Sequence, residues 1–75
     1  MRPIRYYVVQ VGDHWEVSCT WRGQPTTRYA DRDSAREAAE AIAEAQWRQQ
    51  QVASEVMLSE DDGAWHRAAA YGSLL

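Results

Sequence analysis

The 75-residue chain has no lysine and no phenylalanine, a single cysteine, two prolines and four glycines. One cysteine, Cys19, excludes an internal disulfide framework and a cysteine-built metal site. Sparse glycine and proline exclude a collagen-like or low-complexity chain. No apolar run approaches the ~20 residues that a helical membrane span needs, and the first residues lack a signal-peptide core. The expected location is therefore the cytoplasm. The basic residues are eight arginines against eleven acidic residues, a formal charge of −3. That balance argues against a general nucleic-acid binder, whose affinity comes largely from neutralising phosphates. Arginine in place of lysine, beside abundant alanine, reads as the coding bias of a GC-rich bacterium. Without phenylalanine, four Trp and four Tyr must supply the large side chains of the core.

What is present reads as one domain over residues 1–75. A chain this short hides only about 60% of its unfolded surface, so each large apolar residue matters. Hydrophobic residues at 45% and charged residues at 25% are ordinary for a globular fold and speak against disorder. Residues 3–30 form a hairpin followed by a short third strand. Ile4 to Val11 is rich in Tyr and Val, His14 to Trp21 alternates with period two, and Gly12-Asp13 supplies a two-residue turn. That turn places Tyr6 opposite Cys19, Val8 opposite Val17, Ile4 opposite Trp21 and Gln10 opposite Trp15. One face then gathers Ile4, Tyr6, Val8, Trp15, Val17, Cys19 and Trp21 as a core face. The other sets Arg5, Tyr7, Val9 and Val11 beside His14, Glu16, Ser18 and Thr20.

Arg22-Gly23-Gln24-Pro25 reads as a turn, and Thr26 to Ala30 as the third strand. Residues 31–51 form the helix, free of Gly and Pro and rich in Ala, Glu and Gln. Asp31 is a candidate N-cap, and Ser34 with Glu37 spells a capping box three residues later. Ala35, Ala38, Ala39, Ile42, Ala43 and Gln46 make the buried stripe. Residues 54–72 read as strand, turn and strand, with Asp61-Asp62-Gly63 as the turn and Gly63 or Asp62 left-handed. The alanines Ala68 to Ala70 leave the last segment open between strand and loop. Residues 73–75 form a tail. The fold class is α+β, a small antiparallel sheet (β-β-β-α-β-β in sequence order) with one helix packed on one face.

Tyr6-Tyr7-Val8-Val9 followed by Trp15-Glu16-Val17 resembles the Y-x-V-V … W-x-V hairpin of a family of short bacterial proteins of unassigned function. The helix spacing Ala35, Ala39, Ala43 and the tail Asp62-Gly63 … Tyr71-Gly72 are similar to that family as well. The likeness runs from about Tyr6 to Gly72. Trp65 stands where a smaller aliphatic is usual there, and Ala68-Ala69-Ala70 replaces a charged stretch. The resemblance implies a sheet of hairpins under one covering helix, and it implies no catalytic residue.

The chemistry-bearing residues are few. Cys19 on the core face reads as a small buried hydrophobe. His14 and His66 lack a close third ligand, and a chain this small has little room for a substrate pocket. No enzyme, metal or cofactor is expected. Glu60-Asp61-Asp62 lacks the spaced oxygen ligands of a calcium loop and reads as a solvated turn. Helix carboxylates with this turn would mimic nucleic acid only weakly at −3. One helix covers one sheet face, so Tyr7, Val9 and Val11 are left on a bare apolar face, with Trp47 just past the helix stripe. These four residues are the expected interface of a non-enzymatic, self-associating or protein-binding module, with a two-fold homodimer as its simplest form. The rival expectation is nucleic-acid binding through Arg5, Tyr7, Arg22 and Arg28 on that same face.

Overall fold

The computed structural model describes residues 4–19, 26–59 and 63–72. Strands β1 (Ile4–Val11) and β2 (His14–Cys19) form the hairpin, with Val11 opposite His14 across the turn. Gly12 takes φ +62° while Asp13 stays at negative φ, the pattern of a tight turn with Gly at its first central position. The pairs Tyr6–Cys19, Val8–Val17 and Gln10–Trp15 follow from it. The expected Ile4–Trp21 pair, Trp21 in the core and the turn at 22–25 lie outside the described residues. So do the turn residues Asp61 and Asp62 and the tail 73–75.

The third strand, β3, is Thr27–Tyr29, and the helix α1 is Arg32–Gln50. Of the two possible starts, Asp31 is the cap. Its Oδ1 accepts the Ser34 amide at 2.8 Å, and its Oδ2 accepts the Ser34 hydroxyl at 3.1 Å. Those bonds hold the Asp31 carboxyl below its ordinary range. At the far end Gln51 sits at φ +56°, and its side-chain amide donates to the carbonyls of Trp47 and Arg48. That hydrogen bonding satisfies carbonyls a helix end leaves orphaned.

Strands β4 (Ser54–Ser59) and β5 (Trp65–Tyr71) complete a five-stranded sheet in the order β3-β2-β1-β4-β5. The alanine run is therefore strand. Three pairings are antiparallel, and the central pair, β1 with β4, is parallel. The helix causes this: it carries the chain back across the sheet, so β4 starts from the same end as β1.

The core is Ile4, Tyr6, Val8 and Val17 from the hairpin, Val56 and Leu58 from β4, and Ala35, Ala39 and Ala43 from the helix. Trp15, Cys19 and Tyr29 pack against its margin. The three alanines are fully buried, so the helix backbone approaches the sheet closely. The stripe is narrower than the sequence suggests. Ile42, expected inside, is 40% exposed, because it lies about 100° around the helix from Ala43 and the close approach leaves no room beside that line.

Burial pushes the Tyr6 phenol up to about 12, aided by neighbouring Cys19, while a hydrogen bond with Gln46 pulls the other way. Tyr6 therefore stays neutral beside Cys19 in a packed layer, and the two serve the core.

Candidate interaction face

The face of the sheet away from α1 is set by strand alternation. It carries Arg28 on β3, His14, Glu16 and Ser18 on β2, and Arg5, Tyr7, Val9 and Val11 on β1. On β4 the same alternation turns Glu55, Met57 and Ser59 outward. β5 supplies a less obvious contribution. Plain alternation back from Tyr71, which packs on the core, would place Ala69, Arg67 and Trp65 on the core side as well. The register instead jumps from Val56–Ala69 to Met57–Arg67, leaving Ala68 as the extra residue of a bulge. That single residue turns Arg67 and Trp65 over to the outer face.

Two consequences shape this surface. Trp65 meets Tyr7 edge to face, with ring centroids 5.2 Å apart and planes at 75°, and the pair spans β4 between them. Arg67 reaches Glu55, its Nε 3.0 Å from Oε2, while Arg5 donates through its Nε to Oε1 of the same carboxylate. Ala70 stands opposite Glu55 on β5, and its methyl group is too small to fill the place Arg67 takes. Glu55 is only 2% exposed although it lies on the face away from α1, whereas the Arg5 and Arg67 side chains are 51% and 57% exposed. The hydrogen bond to Glu55, then one with Tyr7, raises the Arg5 guanidinium above its already high range.

A second polar group lies across the face. His14 Nε2 is 2.6 Å from Glu16 Oε2 and its Nδ1 is 3.4 Å from the fully exposed Asp13, with Arg28 Nε 3.9 Å from the same Glu16 oxygen. Among the described residues no three His, Cys, Asp or Glu side chains gather into a metal-holding group. Cys19 and His14 lie on opposite faces of β2, so the structure does not assemble them into a nucleophile–base pair.

The expected interface residues are only partly brought together. Tyr7, Val9 and Val11 share the outer face, but Tyr7 is capped by Trp65 and Val9 is half-buried. The face is thus less bare than its sequence suggests, with Val11 at 42% and Trp65 at 46% as its exposed large apolar residues. Trp47 is not part of it. Its ring lies against Gly72, where a Cβ would fall 2.6 Å from the ring, so it closes the helix side over the end of β5. Of the alternative basic set, Arg5 is tied to Glu55, Arg28 stands near Glu16, and Arg22 lies outside the described residues. Sequence reasoning missed Glu55, Met57, Trp65 and Arg67. Alternation around Val56 was signal enough for the first two, while nothing local announces the bulge.

No protein-family model, no curated protein and no solved structure matches the chain. Among the described residues, no helix is long and apolar enough to cross a membrane.

Proposed function

We propose that the protein is a non-enzymatic interaction module that docks a second copy of itself, or a protein partner, through the outer face of its sheet. The observation that carries this reading is the one-sided cover: α1 lies over Tyr6, Val8 and Val56, and the reverse face holds Tyr7, Val9, Val11, Met57 and Trp65 with no layer above them among the described residues. Apolar residues rimmed by charge on an uncovered sheet face are characteristic of interfaces. Family membership with the short bacterial proteins it resembles, and a cytoplasmic setting, belong to the same proposal. Sedimentation of the purified protein from 1 µM to 1 mM tests it (concentrations on the order of common dimer affinities). A mass rising toward the dimer supports the reading. A constant monomer, with no partner protein retained by the immobilised chain, refutes it.

One observation favours a second reading. Arg5, Arg28 and Arg67 share the outer face with Tyr7 and Trp65, while the chain as a whole is negative. Guanidinium and aromatic groups on an open sheet suit single-stranded nucleic acid. Binding of a labelled oligonucleotide that weakens steeply with salt supports this alternative, and no binding at low salt ends it.

A further inference from the structure

The sheet ends in two unlike edges. β3 offers three residues, whereas β5 runs for seven and is exposed at every position except Ala69 and Tyr71. Edges of that length are usually blunted by lysine, proline or projecting charge, because their free backbone groups pair with other strands. β5 has no lysine, proline or acidic residue, and its Arg67 is turned back onto Glu55 of β4. We infer that β5 pairs with β5 of a second copy, antiparallel about a two-fold axis, joining the two five-stranded sheets edge to edge. This contact is separate from the outer face and does not rest on it.

The ladder shows which backbone groups are free. The Ile4 amide donates to the Ala53 carbonyl at 2.9 Å, with Ile4 opposite Ser54 in the parallel pair. Alternate residues of a strand bond to alternate neighbours, so Glu55 and Met57 bond to β1 while Ser54, Val56 and Leu58 turn to β5. Their partners Tyr71, Ala69 and His66 therefore exchange bonds with β4. The N–H and C=O of Trp65, Arg67 and Ala70 point the other way, where no strand lies among the described residues. A regular strand presents such groups at every second residue. Here the extra Ala68 puts Ala70 three residues after Arg67.

That irregular step selects the occupant. A regular strand aligned on Arg67 falls out of step at Ala70, so the bulge turns it away. A second β5 running antiparallel carries the same step at the same place. Setting Arg67 opposite Ala70 of the second copy also sets Ala70 opposite that copy's Arg67, and both bonded pairs close. The side chains agree with this register. His66, which shares the helix side with Leu58, stands opposite Tyr71 of the second copy, which packs on the core side too. Trp65 stands opposite Gly72, which has no side chain to oppose it. Each Arg67 meets an alanine rather than another arginine, and keeps its own Glu55. Both helices lie on one side of the joined sheet and both outer faces on the other, so edge and face contacts do not compete.

An edge contact is narrow, so a weak, concentration-dependent dimer is expected. Amide hydrogen exchange read by NMR at about 50 µM and about 1 mM tests it. The amides of Arg67 and Ala70 are expected to slow about threefold at the higher concentration, and those of Ala69 and Tyr71, already bonded to β4, much less. In a mixed sample of labelled and unlabelled chains, the His66 Hα is expected to show an intermolecular NOE to the Tyr71 Hα, the closely spaced pair of this register. Ala70→Pro removes an outward N–H that the single copy does not use. Its circular dichroism should match the parent chain while the concentration dependence disappears. If that variant does not fold, exchange and NOEs in the unaltered chain still decide. Equal exchange rates at both concentrations overturn the edge pairing, and shifting Val9 and Met57 methyls in the same sample leave the outer-face contact standing. An NOE between the two His66 residues marks another register and overturns the matched step. A chain that stays monomeric overturns edge pairing and self-association together.

Discussion

Replacing Gly72 with alanine probes the joint between the helix and the end of the sheet. Gly72 sits at φ +78°, a conformation that costs an L side chain about 1 kcal/mol or more. Its added Cβ would stand 2.6, 2.8 and 3.0 Å from Cε3, Cζ3 and Cδ2 of the Trp47 ring. A rigid indole seated between helix and strand cannot retreat by a few tenths of an ångström without unpacking, and overpacking of this kind costs roughly 1–3 kcal/mol. Gly72→Ala should therefore lose about 3 kcal/mol in urea denaturation followed by circular dichroism. In a domain this small each lost kcal/mol lowers Tm by roughly 4–8 °C. In a Trp47→Leu background the collision disappears, and the same substitution should cost only the backbone share of about 1 kcal/mol. A cost below about 0.5 kcal/mol, or an equal cost in both backgrounds, would refute the placement of Trp47 over Gly72.

Ala39→Leu should destabilise by roughly 3 kcal/mol, since no space remains between α1 and the sheet, whereas Ala41→Leu on the exposed side should stay within about 0.5 kcal/mol. Tyr6, raised to about 12, favours folding fully below its unfolded value near 10 and loses that contribution as pH climbs through 12. Alkaline denaturation should accordingly flatten over that interval in Tyr6→Phe. Asp31 behaves oppositely: its lowered carboxyl stabilises the helix above the unfolded value near 3.9, and that support fades as pH falls through the lower folded value. Asp31→Asn should remove this acid limb, read by circular dichroism, while still capping the helix.

The hairpin was legible because its information is local. Gly12-Asp13 fixes the register, and strict alternation then sorts Tyr6, Val8 and Val17 from Tyr7, Val9 and Glu16. The helix was legible for the same reason, down to the choice between Asp31 and Ser34 as its cap, which hydrogen-bond geometry decides. What could not be read was set by distant partners. Nothing near Ser54 says that β4 lies beside β1, so the burial of Glu55 between Arg5 and Arg67 was invisible. The bulge at Ala68 reverses the facing of Trp65 and Arg67, and a run of three alanines carries no mark of where the extra residue sits. Trp47 was assigned to the interface because it falls just off the alanine stripe, yet the bare backbone of Gly72 gives it a seat on the helix side.

The most direct test follows the methyl signals of Val9, Val11 and Met57 by NMR as the protein is concentrated, with those of Ala35, Ala39 and Ala43 as the internal reference. If the outer sheet face meets a second copy, the first three should shift together along one saturating curve while the helix alanines stay still. Unmoved valine and methionine methyls in a sample that nevertheless associates would place the contact elsewhere and contradict the account.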